Sequence, residues 1–376
     1  MTDKVKSTKF GVRSFLVNMA RMLLGLVFMF SGVVKAIDPV GTQIKFEDYI
    51  VGMGLGVPMQ STWLLVMACL LAGFEILLGA YLVMGTYRRG TSFLIFLLMC
   101  ILTPFTLYLA IANPVHDCGC FGDALKLTNW QTFYKNLVID SILLALIFNN
   151  KQLKNRLTWR GQFVIGCIYA LIFVLFEIYN YRHLPVVDFM NWKVGKQMKV
   201  ENEEPAKIYL TFRNINTGET QEYLSPDYPW NDSVWSSQWE FVDQRMEGGN
   251  DYLGFSALDA DGNDVTDMIL ETENLLMFTS HDLTKVTDEE WQKIKTITEE
   301  ADAHGYYVVW AVANSPEYVE ELQETYDFLY EVYFGDELEI KTLVRFNPGL
   351  MLLDDGLVVD KWSAIDFDKA LKKIQE

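Results

Sequence analysis

Five long apolar runs dominate the first half of the chain. Each is about 16 to 23 residues long, close to the ~20 residues that a helix needs to cross a hydrocarbon core. The pattern therefore predicts five transmembrane helices, of which the fourth is the shortest. The runs lie at residues 14–36, 62–84, 91–112, 133–148 and 161–179.

After residue 183 the apolar runs become short and alternate with polar residues. Residues 206–224 alternate as a β-hairpin does. Residues 225–250 carry Trp230, Trp235 and Trp239 among turn-forming residues, which predicts a loop. These tryptophans form either a local aromatic core or a cage for a ligand, and we expect the local core.

A second pattern of alternating strands and helices begins at residue 253. Its order predicts an α/β sheet with helices on both faces. The predicted elements are a hairpin of Leu253–Leu258 and Val265–Ile269, strand Asn274–Thr279, helix Thr287–His304, strand Tyr306–Val312, helix Pro316–Tyr326, a hairpin of Gly349–Leu353 and Leu357–Lys361, and helix Ile365–Ile374.

These patterns predict a multi-domain protein. An all-α transmembrane four-helix bundle and a fifth transmembrane helix precede a soluble α/β domain that has an N-terminal β-rich segment. The predicted divisions are residues 1–150 for the bundle, 151–182 for the fifth helix and linker, 183–252 for the hairpin and tryptophan-rich segment, and 253–376 for the α/β domain.

Charge sets the expected orientation. Residues 1–180 carry a net charge of +6 and residues 181–376 a net charge of −24. The N-terminus and the second-to-third and fourth-to-fifth connections are basic, which places them in the cytoplasm. We expect a protein of the cytoplasmic (inner) membrane. With five spans and a cytoplasmic N-terminus, its acidic half then lies outside the cytoplasm. A polyanion would be repelled by that half, which argues against a nucleic acid partner.

Several ionisable residues lie within the predicted spans. A charge at mid-membrane is costly, so we expect Glu75 and Asp140 to face the bundle interior, paired or protonated. They have either a role in proton or quinone chemistry or a structural role in an interhelical hydrogen bond or salt bridge. For Lys35 we expect the ammonium to reach the membrane interface.

The closest cysteine pair in the chain is Cys118 and Cys120, between the third and fourth spans. A disulfide between them closes a very small ring, and strain of this kind is typical of labile bridges. Gly119 and Gly122 allow the tight backbone path that the pair requires. The pair is a redox site, half of a metal site, or an ordinary lipid or stabilising site, and we favour redox.

His116 lies two residues before Cys118. A nearby imidazolium lowers a thiol pKa, but a solvated loop histidine explains His116 as well. The other histidines show no metal-ligand spacing. Residues 259–264 resemble a calcium loop, but they lack glycine at the sixth position and glutamate at the twelfth. We therefore predict no metal site.

Residues 14–150 resemble the DoxX/MauE superfamily of four-helix membrane proteins. The matching segments are Arg21–Gly25 and Phe30–Lys35, Gly73–Gly79, and Cys118–Gly122. MauE is linked to maturation of the disulfide-rich methylamine dehydrogenase. DoxX relatives are associated with thiosulfate:quinone oxidoreduction, and the bundle is similar in outline to vitamin K epoxide reductase. The resemblance implies exchange between extracytoplasmic thiols or sulfur compounds and a quinone.

Residues 253–376 resemble a thioredoxin fold of the peroxiredoxin/TlpA type, with Asn347-Pro348 at the place of its cis-proline. That family places Cys-x-x-Cys after the strand that ends at Thr279. Here the positions read Ser280-His281-Asp282-Leu283. Without sulfur this domain cannot exchange thiols, so a binding or docking role remains. The fused arrangement resembles DoxX-family proteins of Bacteroidota.

Two functional hypotheses follow. In the first, Cys118 and Cys120 exchange disulfides with an extracytoplasmic protein or sulfur-compound client, a membrane quinone is the electron partner, and Glu75 or Asp140 handles the proton. In the second, the protein is a non-catalytic assembly or adaptor factor that binds a client through the thioredoxin-like domain.

Overall fold

The computed structural model divides into two compact units, Met1–Phe189 and Met190–Glu376. The structure describes residues 2–54, 62–115, 119–149, 158–199, 207–215, 217–224, 229, 233–247, 255–329 and 331–376.

The first unit is helical. In its described part, five helices are long and apolar enough to cross a membrane, so the prediction of five spans is confirmed and the chain is a multi-pass membrane protein. The spans belong to every helix except the second. The helices are α1 (Thr2–Ile37), α2 (Pro39–Gly52), α3 (Thr62–Met84), α4 (Arg88–Ala112), α5 (Asn129–Phe148) and α6 (Trp159–Arg182).

The fourth span is longer than predicted. Helix α5 begins at Asn129 instead of residue 133, because Thr128 and Gln131 form a capping box. The Gln131 amide donates to Thr128 Oγ1 at 3.2 Å, and the Thr128 amide donates to Gln131 Oε1 at 3.0 Å. These bonds satisfy the exposed amides of a polar first turn that hydropathy alone cannot identify as helix.

Helix α2 lies in a connection for which no helix was predicted. It begins with Asp38, whose Oδ1 accepts from the Gly41 amide at 2.7 Å, followed by Pro39 in the first helical position. Both features are ordinary helix-start signals. Ile44 and Tyr49 are buried, so α2 packs one face against the bundle.

Helices α1 and α3 pack most extensively, and small residues make their approach close. A Cβ added at Gly25 would lie 2.8 Å from the Gly79 carbonyl oxygen, and one at Gly32 would lie 2.6 Å from the Ala72 carbonyl oxygen. Gly25 and Gly32 are seven residues apart on α1, and their contacts Gly79 and Ala72 are seven residues apart on α3 in the reverse order. The two helices therefore run antiparallel, with backbone against backbone.

The core of the bundle draws on four helices. Leu24 and Phe28 of α1 pack with Leu82 of α3, Ile95 of α4 and Leu143 of α5. Each lies on a buried stripe, whereas the opposite faces of these helices are apolar and exposed, as lipid-facing surfaces are.

The second unit contains a three-stranded antiparallel sheet in the order β2-β1-β3. Its strands are β1 (Lys207–Asn214), β2 (Thr220–Leu224) and β3 (Trp239–Glu247), with helix α7 (Ser233–Gln238) before β3. The predicted hairpin is confirmed. The prediction of a loop at residues 225–250 is wrong within its described part, because residues 239–247 pair along β1 in spite of their turn-rich flanks.

The tryptophans of this region form a local aromatic cluster. The Trp235 ring lies 4.8 Å from Phe212, 5.6 Å from Tyr223 and 6.0 Å from Trp239, between ring centroids. This is the expected local core, although Trp230 lies outside the described residues.

A five-stranded sheet forms the rest of the second unit, in the order β6-β5-β4-β7-β8. Strands β4, β5 and β6 are parallel, and β7 is antiparallel to both β4 and β8. The elements are α8 (Thr266–Glu271), β4 (Leu275–Ser280), α9 (Asp288–Ala303), β5 (Tyr307–Val312), α10 (Pro316–Thr325), β6 (Val332–Phe334), α11 (Glu337–Leu343), β7 (Gly349–Asp354), β8 (Leu357–Ser363) and α12 (Phe367–Ile374).

Helices cover both faces of this sheet, as predicted. Leu276 and Phe278 of β4 point to one face, where they pack with α9 and α12. Helix α11 packs against β4 and β5, and Leu275 and Met277 are fully buried on the other face. Two-sided burial explains why β4 reads as a continuous apolar run.

The hairpin predicted at residues 253–269 is wrong in its described part. Leu258 makes isolated bridges to Asp264 and Phe334, and residues 266–271 form α8. Asp264 Oδ1 accepts from the Thr266 amide at 2.8 Å, and Thr266 Oγ1 accepts from the Ala257 amide at 2.9 Å. These side-chain bonds start a helix where apolar alternation indicated a strand.

Residues 192–199 pack along β8. Trp192 is fully buried, and its carbonyl accepts from Lys361 Nζ at 2.9 Å. The Met198 amide donates to the Gly356 carbonyl at 2.8 Å. The stretch that follows α6 is therefore part of the core of the second unit.

The close approach at Gly32 is testable. Gly32→Ala would place a methyl group against the α3 backbone, so we expect a loss of about 1–3 kcal/mol in unfolding free energy. The measurement is thermal unfolding of the full-length protein in nanodiscs. Gly90→Ala is the matched control, since nothing lies within 4 Å of a Cβ there. Equal stability of the two variants would contradict the packing described.

Candidate functional site

A buried ion pair joins α1 to α3. Lys35 Nζ lies 2.8 Å from Glu75 Oε2, and the two side chains are 6 % and 5 % exposed. The prediction that Lys35 reaches the interface is therefore wrong, because its helix turns it toward α3 just after the close approach at Gly32. Glu75 does face the interior and is paired, as expected.

The ion pair also holds the backbone of the cysteine loop. Lys35 Nζ donates to the Cys120 carbonyl oxygen at 2.8 Å and to Ser31 Oγ at 2.7 Å. Ser31 Oγ donates to the same carbonyl at 2.9 Å. Ser31 and Lys35 are four residues apart, so they share one helix face. The Cys120 carbonyl thus accepts two hydrogen bonds, one of them charge-assisted.

Two glycines give the loop its tight path. Gly119 has φ of +55° and Gly122 has φ of +50°, in the left-handed region that side chains disfavour. The Gly122 amide donates to the Gly119 carbonyl at 2.9 Å. Helix α2 covers this turn, because a Cβ added at Gly119 would lie 3.1 Å from Lys45 Cγ and 3.2 Å from the Tyr49 hydroxyl. This agrees with the roles expected of both glycines.

A cavity of about 300 Å³ lies beside the loop. Lys35, Glu75 and Cys120 are part of its wall, and the rest of the wall is mostly apolar. Six aromatic side chains line it: Phe28, Phe46, Tyr49, Trp63, Phe105 and Phe121. A concave apolar site with a few polar groups is the usual form of a small-molecule site.

Lys135 of α5 also lines this cavity. Its Nζ lies 4.5 Å from the centre of the Phe121 ring, close enough for a cation–π contact. Asn136 is buried in the same wall and donates to Thr106 Oγ1 at 3.1 Å. The cavity wall therefore also carries a cation and an amide from α5.

The structure does not bring every predicted residue to this site. Asp140 Oδ2 accepts from Thr103 Oγ1 at 2.8 Å, and Asp140 is not part of the described cavity wall. It therefore forms an interhelical hydrogen bond between α5 and α4. Cys118 and His116 lie outside the described residues.

Residues 13–149 match the family model of methylamine utilisation protein MauE. The match covers the whole bundle from α1 to α5, including the ion pair and the cysteine loop, but not α6 or the second unit. It is a likeness of the membrane part of the chain, just over a third of its length. The searches of curated proteins and of solved structures found no match.

Beyond the MauE-like bundle, the loop that follows β4 is closed by amide side chains. Ser280 Oγ donates to Asn347 Oδ1 at 2.9 Å, and Asn347 Nδ2 donates to the Asp282 carbonyl at 2.9 Å. The Leu283 amide donates to Asn314 Oδ1 at 2.8 Å. These bonds fix the loop at residues 280–283, where a thioredoxin of the peroxiredoxin/TlpA type would carry its cysteines.

His281 in this loop is partly buried. Burial lowers its pKa from 6.5 to about 4, and the positive charges of Lys341 and Lys285 act in the same direction. Glu337 and Asp282 oppose the shift. His281 is therefore neutral at neutral pH and acts as packing rather than as a cation.

Residues 259–264 form a self-contained turn. Asp259 Oδ1 accepts from the amides of Asp261 and Asn263 at 2.9 and 2.8 Å, and Asp259 Oδ2 accepts from Asn263 Nδ2 at 2.8 Å. The Asp259 carboxylate is thus used to hold the turn, in agreement with the reading of this segment as a turn.

Sequence reasoning missed several residues of the site, namely Ser31, Lys45, Tyr49, Lys135 and Asn136. A signal was available for Ser31, since Ser31 and Lys35, four residues apart, mark one polar face on an apolar helix. Lys45 and Tyr49 depend on α2, which Asp38-Pro39 could have indicated. Nothing local to Lys135 and Asn136 distinguishes a cavity wall from the polar end of a span.

The ion pair is testable through stability. Lys35→Met leaves Glu75 buried without a counter-charge, so we expect a loss of about 3–5 kcal/mol. The double variant K35M/E75L replaces both charges with apolar groups and should recover most of that loss. Thermal unfolding of the full chain in nanodiscs measures both. A single variant as stable as the original would show that the pair is not formed.

Stability of the second unit should depend on pH through His281. The unfolded chain binds a proton near pH 6.5 and the folded chain near 4, so stability is full above the first value and falls as pH drops toward the second. The expected loss is on the order of 2 kcal/mol. Hydrogen exchange of the β4 amides in the full-length protein checks it, and His281→Gln should flatten the dependence. If the pH dependence of stability were unchanged in that variant, another titrating group would be its cause.

Proposed function

We propose that this protein exchanges disulfides through Cys118 and Cys120 at the extracytoplasmic side of the cytoplasmic membrane. The observation that carries the proposal is the position of Cys120. Cys120 forms part of the wall of a mostly apolar cavity inside a membrane bundle, and its carbonyl accepts hydrogen bonds from Ser31 and Lys35. The likeness to the MauE family over the same residues supports a role in a redox-related pathway.

We propose that the electron partner is a membrane quinone in this cavity. The fit rests on the aromatic and apolar wall, which suits a lipid-soluble ring, and on Lys135, whose ammonium can donate to a carbonyl oxygen. A bound quinone supplies two-electron oxidation of a dithiol. Lys45 and Tyr49 pack on Gly119 beside the cysteines, where a positive charge favours the thiolate that attacks a disulfide.

The proposed disulfide exchange takes place between the cysteine pair and the client. In the oxidising direction, a client thiolate attacks the Cys118–Cys120 disulfide to give a mixed disulfide, and a second client thiolate releases it. The client is then oxidised by two electrons and the pair is left as a dithiol, which takes up the two protons that the client thiols release. The reverse sequence reduces a client. Glu75 is the proposed proton group nearest this loop, whereas the contact of Asp140 with Thr103 favours a structural role for Asp140.

The charge pattern supports the proposed orientation. The basic N-terminus and the basic connections predict that residues 181–376 lie outside the cytoplasm, on the same side as the 113–132 connection. The client is then an extracytoplasmic protein or sulfur compound.

We propose that residues 253–376 are a thioredoxin-like domain. Three parallel strands followed by an antiparallel hairpin, with helices on both faces, support this interpretation. Because the loop after β4 has no sulfur, the proposed role of the domain is to hold a client.

A non-catalytic adaptor is the second candidate. The observation that favours it is the closed loop Ser280–Leu283, where Asn347 and Asn314 satisfy the backbone and side chains. A loop fixed in this way serves as a rigid docking surface. In this second candidate function the bundle is a membrane anchor, and the cysteines catalyse no reaction.

The test is quinone reduction by the full-length protein in nanodiscs, with dithiothreitol as the thiol and a short-chain quinone as the acceptor. We expect Cys118→Ser and Cys120→Ser each to reduce the catalysed rate to the background rate, since each removes one half of the bond. The measurement is the loss of quinone absorbance.

Cys167→Ser is the matched control, because Cys167 is exposed on α6 away from the loop. It should keep the full rate. A wild-type protein without catalysis above background, or serine variants that keep it, would reject the redox function. Function in cells that survives the double serine variant would favour the adaptor.

A further inference from the structure

Lys135 is a cation in the cavity wall whose N–H donors are open to a bound molecule. Its Nζ lies 4.5 Å from the centre of the Phe121 ring, and it forms no hydrogen bond or ion pair with the residues that the structure describes. By contrast, all three N–H donors of Lys35 are used on protein oxygens. Of these two lysines, Lys135 is the one that can donate to an oxygen inside the cavity.

Asn136, the next residue of α5, brings a hydrogen-bond acceptor to the same wall. It is 3 % exposed and lines the cavity. Its Nδ2 donates to Thr106 Oγ1 at 3.1 Å, while Thr106 Oγ1 donates its only hydrogen to the Thr103 carbonyl at 3.0 Å. Thr106 can therefore only accept from the amide, which fixes the amide nitrogen on that side. Asn136 Oδ1 is left at the other end, and no residue in the described part of the chain donates to it.

The unused carbonyl of Asn136 distinguishes the two redox forms of a quinone. A buried acceptor without a donor costs free energy, and a ligand that supplies the donor recovers it. The ring carbonyls of the oxidised form only accept hydrogen bonds, whereas the hydroxyls of the reduced form both donate and accept. Lys135 can therefore donate to either form, but Asn136 Oδ1 gains a partner only from the reduced one.

We propose that Lys135 and Asn136 form the head-group subsite of the cavity, and that this subsite binds the reduced, hydroxyl-bearing quinone more tightly than the oxidised form. The inference rests on the proposed binding of a quinone in this cavity. In the proposed reaction, two electrons and two protons leave a dithiol, and both ring carbonyls become hydroxyls. A tenfold preference for the reduced form makes the bound quinone a stronger oxidant by about 30 mV, which favours that direction.

The experiment compares two redox-inert probes, para-nonylphenol and its methyl ether, of which only the phenol has an O–H group. Neither probe accepts electrons from a thiol, so binding is measured without turnover. Equilibrium dialysis against the full-length protein in nanodiscs, with the uptake of empty nanodiscs subtracted, gives both dissociation constants. We expect the wild type to bind the phenol about tenfold more tightly than the ether, because only the phenol can donate to Asn136 Oδ1.

Two variants separate the roles of the two residues. Asn136→Leu removes the acceptor, so the ratio of the two dissociation constants should fall to about one. Lys135→Met removes a donor that serves both oxygens, so it should weaken the binding of both probes by a similar factor, about fivefold, and keep their ratio. Leu143→Met is the matched control. Leu143 is a buried core residue of the same bundle outside the described cavity wall, so its variant should keep both constants.

A wild-type ratio near one would overturn the proposal, and so would a ratio that persists in a folded Asn136→Leu protein. If that variant does not fold, Lys135→Met decides: a variant that binds both probes as tightly as the wild type overturns the subsite.

The same measurements distinguish this proposal from the function on which it rests. A protein that prefers the phenol but does not catalyse quinone reduction by dithiothreitol rejects the redox function and keeps the subsite as a site for a phenolic ring. A protein that catalyses the reduction without preferring the phenol rejects the subsite alone.

Discussion

The arrangement of the membrane unit depends on one buried ion pair and on the helix approach that makes it possible. Lys35 and Glu75 come from helices that touch at their backbones through Gly32 and Ala72. In a bilayer neither charge has water to return to, so the geometry that pairs them must be kept throughout the folded state. Cys120 is then fixed as a consequence, because its carbonyl completes the coordination of the ammonium.

The two units differ in what their chemistry allows. All five cysteines of the chain lie in the first unit, and a cavity in that unit has Cys120 in its wall. In the second unit, the loop after β4 has its polar groups satisfied by Asn347 and Asn314. The proposed division into a chemical unit and a recognition unit rests on this difference.

The sequence predicted the fold where a long-range pattern decides it. Five apolar spans and the α/β sheet with two covered faces follow from periodicity and length, and both are seen. The misses have local causes: the capping box that starts α5 at Asn129, the Asp264 side chain that starts α8, and the pairing of β3 with β1 across a stretch rich in turn residues.

The candidate site was predictable only where a single residue stands out from its sequence context. Glu75 and Cys120 are conspicuous because a carboxylate in a span and two cysteines one residue apart are rare. Lys35 was misread because a lysine two residues before a helix end ordinarily reaches water. Its actual direction is decided by the partner helix, which a single sequence does not display.

The contacts of Gly25 with Gly79 and of Gly32 with Ala72 limit which parts of the membrane unit can move. Where two backbones touch, there is no layer of side chains that can change rotamer and let the helices slide. Helices α1 and α3 should therefore move together as one rigid body. A molecule that needs more room than the existing cavity offers would displace α2, α4 or α5 instead.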